Sequence, residues 1–186
     1  CYIELAKDVL KGTGIQVAST LNFPIANDTL PMKIAALKEM IKTGVDQFDF
    51  PPNPGLLLGG EEKAYFEEMR QIVEVAHASG VIVKAMLEFG YITTPELKKK
   101  AAQLACEAGI DWVKQSSGWG VGGCPATAED VKILKENITL PCRVKVSGKV
   151  NTLEKMKTMF EAGAELVGTS SGPAIVDGLV GDINAY

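Results

Sequence analysis

The sequence predicts an α/β protein built on a parallel sheet. Short apolar, β-branched runs alternate with stretches whose apolar residues fall at helical spacing, and no internal repeat or low-complexity linker interrupts that alternation. Right-handed crossovers then make successive strands parallel neighbours. With 186 residues, 46% hydrophobic and 23% charged, the chain has material for one ordinary core, and residues 1–186 are read as a single domain.

Taken in order, Cys1-Tyr2-Ile3 reads as the end of a strand, and Glu4 to Leu10 as a short helix stopped at Gly12. Ile15 to Leu21 is a strand that Asn22-Phe23-Pro24 brings to an end. Leu30 to Thr43 spaces Ile34, Leu37, Met40 and Ile41 as a helix does, with Gly44 as its stop. Val45 to Phe50 is the next strand; Pro51-Pro52-Asn53-Pro54-Gly55 turns the chain before a long helix from Glu61 to Ser79. Val81 to Leu87 is an apolar run broken only by Lys84, which suits a strand covered on both faces. Thr94-Pro95-Glu96 starts a helix that runs to Ala108-Gly109. Asp111 to Lys114 is a strand, Thr127 to Asn137 a helix, Pro141 to Val146 a strand, Thr152 to Ala162 a helix and Glu165 to Gly168 the last strand. Thr169-Ser170-Ser171-Gly172 suits an anion bound by backbone amides at the start of a short helix. These six strands and the fragment at Cys1 fit either a barrel short of staves or an open sheet.

The bulk properties exclude several function classes. The net charge of -4 comes without a basic run or a Lys/Arg patch interleaved with aromatics, which argues against a nucleic-acid partner. No segment reaches the roughly eighteen apolar residues of a membrane span, and the start lacks a signal-peptide pattern, so a cytoplasmic protein is expected. Cys1, Cys106, Cys124 and Cys142 form no Cys-x-x-Cys pair, and only His77 could join them around a metal, so reduced thiols and no metal are expected.

Polar residues stand at four strand ends: Asp49, Lys84 with Glu88, Lys114, and Lys145 with Ser147-Gly148. Parallel α/β proteins place reactive groups there, so Lys114, followed by Gln115-Ser116-Ser117-Gly118, is a candidate amine nucleophile. The alternative is a lysine whose stem lies along the sheet while its ammonium reaches water. If the strand ends converge, three lysines repel one another's charge and each favours a neutral neighbour. An unperturbed lysine is neutral in roughly one molecule in 2,500 at pH 7, so depression of its pKa towards 7 raises the reactive fraction about a thousandfold. Asp49 could then hold one ammonium and pass protons through water; the alternative for Asp49, Lys84 and Glu88 is a structural ion-pair network.

Five colinear motifs add a resemblance that covers essentially the whole chain. Val45-Asp46-Gln47-Phe48-Asp49 is similar to Ala-Asp-Glu-Ile-Asp, and Val83 to Tyr91 to Leu-Lys-Val-Ile-Leu-Glu-Thr-Gly-Tyr, of deoxyribose-phosphate aldolases. Asp111 to Gly118 resembles that family's Asp-Phe-Val-Lys-Thr-Ser-Thr-Gly, Val144 to Gly148 its Val-Lys-Ala-Ser-Gly, and Gly168 to Gly172 is a near copy of its last loop. The resemblance implies a TIM (β/α)8-type barrel, incomplete, with about seven strands recognisable, that begins near the family's second strand and so lacks the N-terminal helix and first stave. It implies a class I aldolase that cleaves 2-deoxy-D-ribose 5-phosphate to acetaldehyde and D-glyceraldehyde 3-phosphate, reversibly and without metal or organic cofactor. By position, Lys114 forms the Schiff base, Lys145 depresses its pKa, and Asp49 takes part in proton transfer. Lys84 and Glu88 support them, with Lys84 orienting Asp49 or Glu88, while Gly118, Gly148, Ser170 and Ser171 hold the substrate phosphate. Cys1 is read as a small buried apolar residue.

The chain departs from the family where Gln115 replaces a threonine, Lys149 a glycine, and Asn151 an arginine. Lys149 either supplies positive charge to the phosphate or obstructs the approach that glycine permits. Two further readings therefore stand beside the first: a catalytically impaired or assembly-dependent barrel fragment that keeps a phosphate pocket, and a Schiff-base aldolase for a different sugar phosphate. Open sheet edges would be covered or joined to another chain, so a homo-oligomer is a further expectation.

Overall fold

The computed structural model describes residues 2–181. Its elements run α1 (Ile3–Val9), β1 (Ala18–Thr20), α2 (Leu30–Lys42), β2 (Gln47–Phe50), α3 (Pro54–Leu58), α4 (Glu62–His77), β3 (Ile82–Met86), α5 (Pro95–Glu107), β4 (Trp112–Lys114), α6 (Ala128–Glu136), β5 (Arg143–Ser147), α7 (Leu153–Glu161), β6 (Leu166–Gly168) and α8 (Gly172–Val176). The six strands pair in chain order and every pair is parallel.

Alternation along the strands sorts the two faces. Phe48, Phe50, Val83, Ala85, Val113, Val144 and Val146 are fully buried in the core that the helices share with the sheet. Burying each valine or phenylalanine side chain stabilises by about 1.5–3 kcal/mol. The residues between them, Asp49, Lys84, Met86, Lys114, Lys145 and Ser147, fall on the opposite face, and the register sets Asp49 beside Lys84 and Lys114 beside Lys145. The apolar face therefore points to the helices and the polar face to the interior of a curve.

The curl follows from one contact. Strands about 4.8 Å apart would put β2 and β5 about 14 Å from each other in a flat sheet, yet Lys145 Nζ lies 2.7 Å from Asp49 Oδ2. The sheet is thus the wall of a TIM-type barrel, and among the described residues it ends in β1 on one side and β6 on the other.

Sequence-level stops explain the helices. Thr94, Thr127 and Thr152 cap α5, α6 and α7, each accepting from the amide three residues on, which satisfies a donor that the first turn leaves unpaired. The strand end expected at Cys1-Tyr2-Ile3 is overturned at Tyr2 and Ile3: the Ala6 N–H donates to the Tyr2 carbonyl at 2.9 Å, Ile3 opens α1, and Cys1 lies outside the described residues. Three residues are too few to show a period, and Ile3 and Ala6 continue the helical one. The described residues thus hold six strands where seven were expected. Within the Pro-rich turn, Asn53 caps the short α3 by accepting from the Gly55 N–H at 2.9 Å, with Pro54 as the first helical residue.

Candidate active site

Four of the expected residues meet at one point. β2 delivers Asp49, β3 Lys84, β4 Lys114 and β5 Lys145, all buried or nearly so. Asp49 Oδ2 receives hydrogen bonds from Lys145 Nζ at 2.7 Å and Lys114 Nζ at 3.2 Å. Lys84 Nζ approaches the other carboxylate oxygen at 3.0 Å. Of its two expected partners, Lys84 thus meets Asp49.

Burial alone would push the Asp49 carboxyl up, but the ammonium groups of Lys114, Lys145 and Lys84 overcome it and hold the carboxyl far below the usual carboxylate range. Burial lowers Lys84, and Asp49 only partly opposes this while Lys145 adds to it. Lys145 is likewise lowered, first by burial and then by Lys114, against the pull of Asp49. One carboxylate held ionised therefore stands among the amines, of which Lys84 and Lys145 are driven towards the neutral form by burial.

Glu88 takes a different place from the ion-pair network. Its backbone is left-handed at φ +55°, which turns the carboxylate to the β4 loop, where Ser117 donates its N–H at 2.8 Å and its Oγ–H at 3.0 Å. Burial raises Glu88 to about 7 against the lowering effect of both bonds. Ser116 Oγ accepts from the Gly118 and Cys124 amides at 2.8 and 2.9 Å, so the loop after Lys114 is fixed from both sides. Gln115 is buried and gives its side-chain amide to the Ser147 carbonyl, which joins the ends of β4 and β5.

Two cavities open on this face. One of about 510 Å³ holds Asp49, Lys114 and Lys145 and is walled by Thr20, Phe23, Met86, Ser117, Trp119, Ser147, Gly168 and Thr169. A second, of about 280 Å³, is lined by Gly118, Trp119, Gly123, Cys124, Pro125, Gly148 and Lys149. Gly148 has φ +101°, and a Cβ there would meet the Cys124 carbonyl at 2.9 Å, so glycine is required. Lys149 holds φ +58° and thereby keeps the turn that a second glycine would make. Lys155 buttresses it, donating to the Lys149 carbonyl at 3.2 Å and to Asn151 Oδ1 at 3.0 Å. Ser170 and Ser171 lie outside both described linings: Ser170 is exposed, and buried Ser171 immediately precedes α8. Their segment still adjoins Gly148, because Gly168 pairs in register with Ser147.

Sequence reasoning missed Thr20, Phe23, Met86 and Trp119 as cavity walls. Only a tryptophan in a Ser/Gly loop offered a signal. Among the described residues no group of three or more His, Cys, Asp or Glu side chains gathers, and Cys106, Cys124 and Cys142 are free thiols.

A curled parallel sheet with an amine cluster at the carboxyl ends of its strands defines a barrel enzyme of the aldolase type. The chain belongs to the DeoC/LacD family of aldolases, whose pattern matches residues 2–178. It is 38% identical over 178 residues to a deoxyribose-phosphate aldolase of Thermoanaerobacter sp., covering 95% of this chain and 78% of that one. A deoxyribose-phosphate aldolase of Thermococcus kodakarensis is 39% identical over the same shares, and one of Streptococcus equi subsp. zooepidemicus 39% identical over 97% of this chain and 80% of its own. Among solved structures, an aldolase 28% identical superposes with a TM-score of 0.85 over 95% of this chain and 76% of that one. The tetrameric deoxyribose phosphate aldolase of Aeropyrum pernix, 23% identical, shares the fold with a TM-score of 0.83 over 95% and 73%.

Proposed function

We propose that this chain is a class I aldolase that cleaves 2-deoxy-D-ribose 5-phosphate reversibly to acetaldehyde and D-glyceraldehyde 3-phosphate. The observation that carries the reading is the single carboxylate of Asp49 shared by Lys84, Lys114 and Lys145 at distances of 3.0, 3.2 and 2.7 Å. Family membership and three relatives of that activity support it.

In this reading the neutral Lys114 amine attacks the substrate aldehyde and, with loss of water and uptake of a proton on nitrogen, forms a protonated imine. The proton on the C3 hydroxyl passes to the Lys145 and Asp49 pair, the C2–C3 bond breaks, and its electrons move into the imine to give an enamine. Glyceraldehyde 3-phosphate leaves; protonation at C2 and hydrolysis release acetaldehyde and restore Lys114. Asp49 stays ionised and holds the two amines in reach, while Lys84 fixes Asp49 from its other oxygen. Glu88 acts through the loop, by its bonds to Ser117. Gly118 and Gly148 receive the phosphate, with Ser170 and Ser171 approaching from the end of β6.

We read residues 1–186 as one aldolase-type barrel domain, working in the cytoplasm on a small phosphorylated sugar that its own charge keeps inside cells. No described helix is long and apolar enough to cross a membrane. The tetrameric assembly of the Aeropyrum pernix relative favours a homo-oligomer, and it motivates the second reading, a barrel whose turnover waits on assembly. The test is release of acetaldehyde from 2-deoxyribose 5-phosphate, read by a coupled reductase, with subunit number measured on the same sample. Turnover supports the aldolase; a folded monomer without turnover that gains it on self-association supports the second reading.

A further inference from the structure

Trp119 belongs to both cavities: it lines the larger one with Phe23, Met86 and Lys114, and the smaller one with Gly148 and Lys149. Its backbone is anchored, since its N–H donates at 3.1 Å to Ser117 Oγ, which is itself bonded to Glu88. Yet the residue is 61% exposed, so the core does not account for it. The ring meets Phe23 with centroids 6.5 Å apart and planes inclined at 54°. Phe23 follows β1 and Trp119 follows β4, so the pair reaches across the mouth of the curled sheet.

We propose that Trp119, backed by Phe23, is a specificity-determining residue that sets the span between the reacting carbonyl and the anion. A phosphorylated aldose attached at Lys114 would lay the C–H face of its carbon chain against the indole and put its phosphate in the Gly148 cavity. This rests on the aldolase reading above. Backbone amides recognise the anion and Lys114 the carbonyl; the indole recognises the chain between them, where C–H groups meet a π face. It acts on which substrate is held and leaves bond breaking to the lysines.

The test compares Trp119→Ala and Trp119→Phe on 2-deoxyribose 5-phosphate and on unphosphorylated 2-deoxyribose. Alongside, Trp112→Phe, which leaves Trp119 as the only tryptophan, is titrated with inorganic phosphate and followed by emission. Trp119→Ala is expected to raise KM for the phosphate ester about tenfold with kcat within about twofold, and to reduce the preference for the ester about tenfold. Trp119→Phe should restore most of that preference, and phosphate should change Trp119 emission saturably. An unchanged KM and preference in Trp119→Ala overturns the proposal, as does emission indifferent to phosphate. Absence of turnover in the parent chain contradicts the aldolase reading instead, and the phosphate titration then judges Trp119 alone.

Discussion

Glu68 and Asp49 are both buried carboxylates met by lysines, but the charge around them differs. Glu68 Oε1 accepts from Lys33 Nζ at 2.9 Å and from the Asn53 N–H at 3.0 Å, while Lys33 also donates to the Ala26 carbonyl at 2.8 Å. One cation faces one anion there, and backbone groups take the remaining bonds. That arrangement ties α2 and α4 to the loop leaving β2. Asp49 faces three ammonium groups, and its Oδ1 and Lys84 Nζ, 3.0 Å apart, lack hydrogen-bond alignment among the described residues. A balanced buried pair holds a fold together; an excess of buried cation strains it, and the strain is relieved when an amine gives up its proton. In the aldolase mechanism proposed above, the second site trades stability for reactivity.

The largest effect that would sharpen this contrast is on turnover. Lys114→Ala should reduce kcat/KM for 2-deoxyribose 5-phosphate by on the order of a thousandfold or more, with a urea midpoint at or above that of the parent chain. At the balanced site the outcome reverses. Lys33→Met leaves Glu68 buried without its cation and should destabilise by about 3–5 kcal/mol in urea unfolding. A loss below about 1 kcal/mol there would break the comparison, since it would mean that the pair is no firmer than a surface bridge.

Glu88 gives a pH signature of its own. Its carboxyl is raised to about 7 from an ordinary 4.5, so between those values the native state binds more protons than the unfolded chain and stability falls as pH rises. The expected decline is on the order of 3 kcal/mol across that window. Glu88→Gln keeps an acceptor for the Ser117 N–H, and the slope of unfolding free energy between pH 4.5 and 7 should flatten relative to the parent. The smallest expected effect belongs to Lys84→Met. Asp49 keeps two ammonium partners, so the change in stability should stay within about 1 kcal/mol while activity drops. A large destabilisation would show Lys84 to be structural cement like Lys33.

The parts of this site that were legible in the sequence are those set by one strand at a time. Lys84 stands out because it interrupts an apolar run, Lys114 because it closes a short apolar strand ahead of a Ser/Gly loop, and Lys145 because it sits between two valines at a strand end; parallel neighbours with a common register bring such residues together. Asp49 was visible at its own strand end, just ahead of a Pro-rich turn. What depends on the curvature of the whole sheet was not legible. Phe23 and Trp119 lie 96 positions apart in the sequence and meet only because the ends of β1 and β4 are drawn together. Glu88 continued the strand pattern on paper, but its positive φ redirects it to Ser117. Ser170 and Ser171 share a motif with the phosphate loop, yet a chain that turns into α8 places them beside the glycine cavity and outside its described wall.

The proposed mechanism begins with capture of a carbonyl carbon by Lys114. Incubation with acetaldehyde and borohydride, followed by peptide mapping in a mass spectrometer, tests it directly, because reduction fixes only an imine that has formed. An ethyl group is expected on the peptide carrying Lys114 and is expected to be absent from Lys114→Ala. A folded sample without adduct, or an adduct mapped to Lys84 or Lys145, would contradict it.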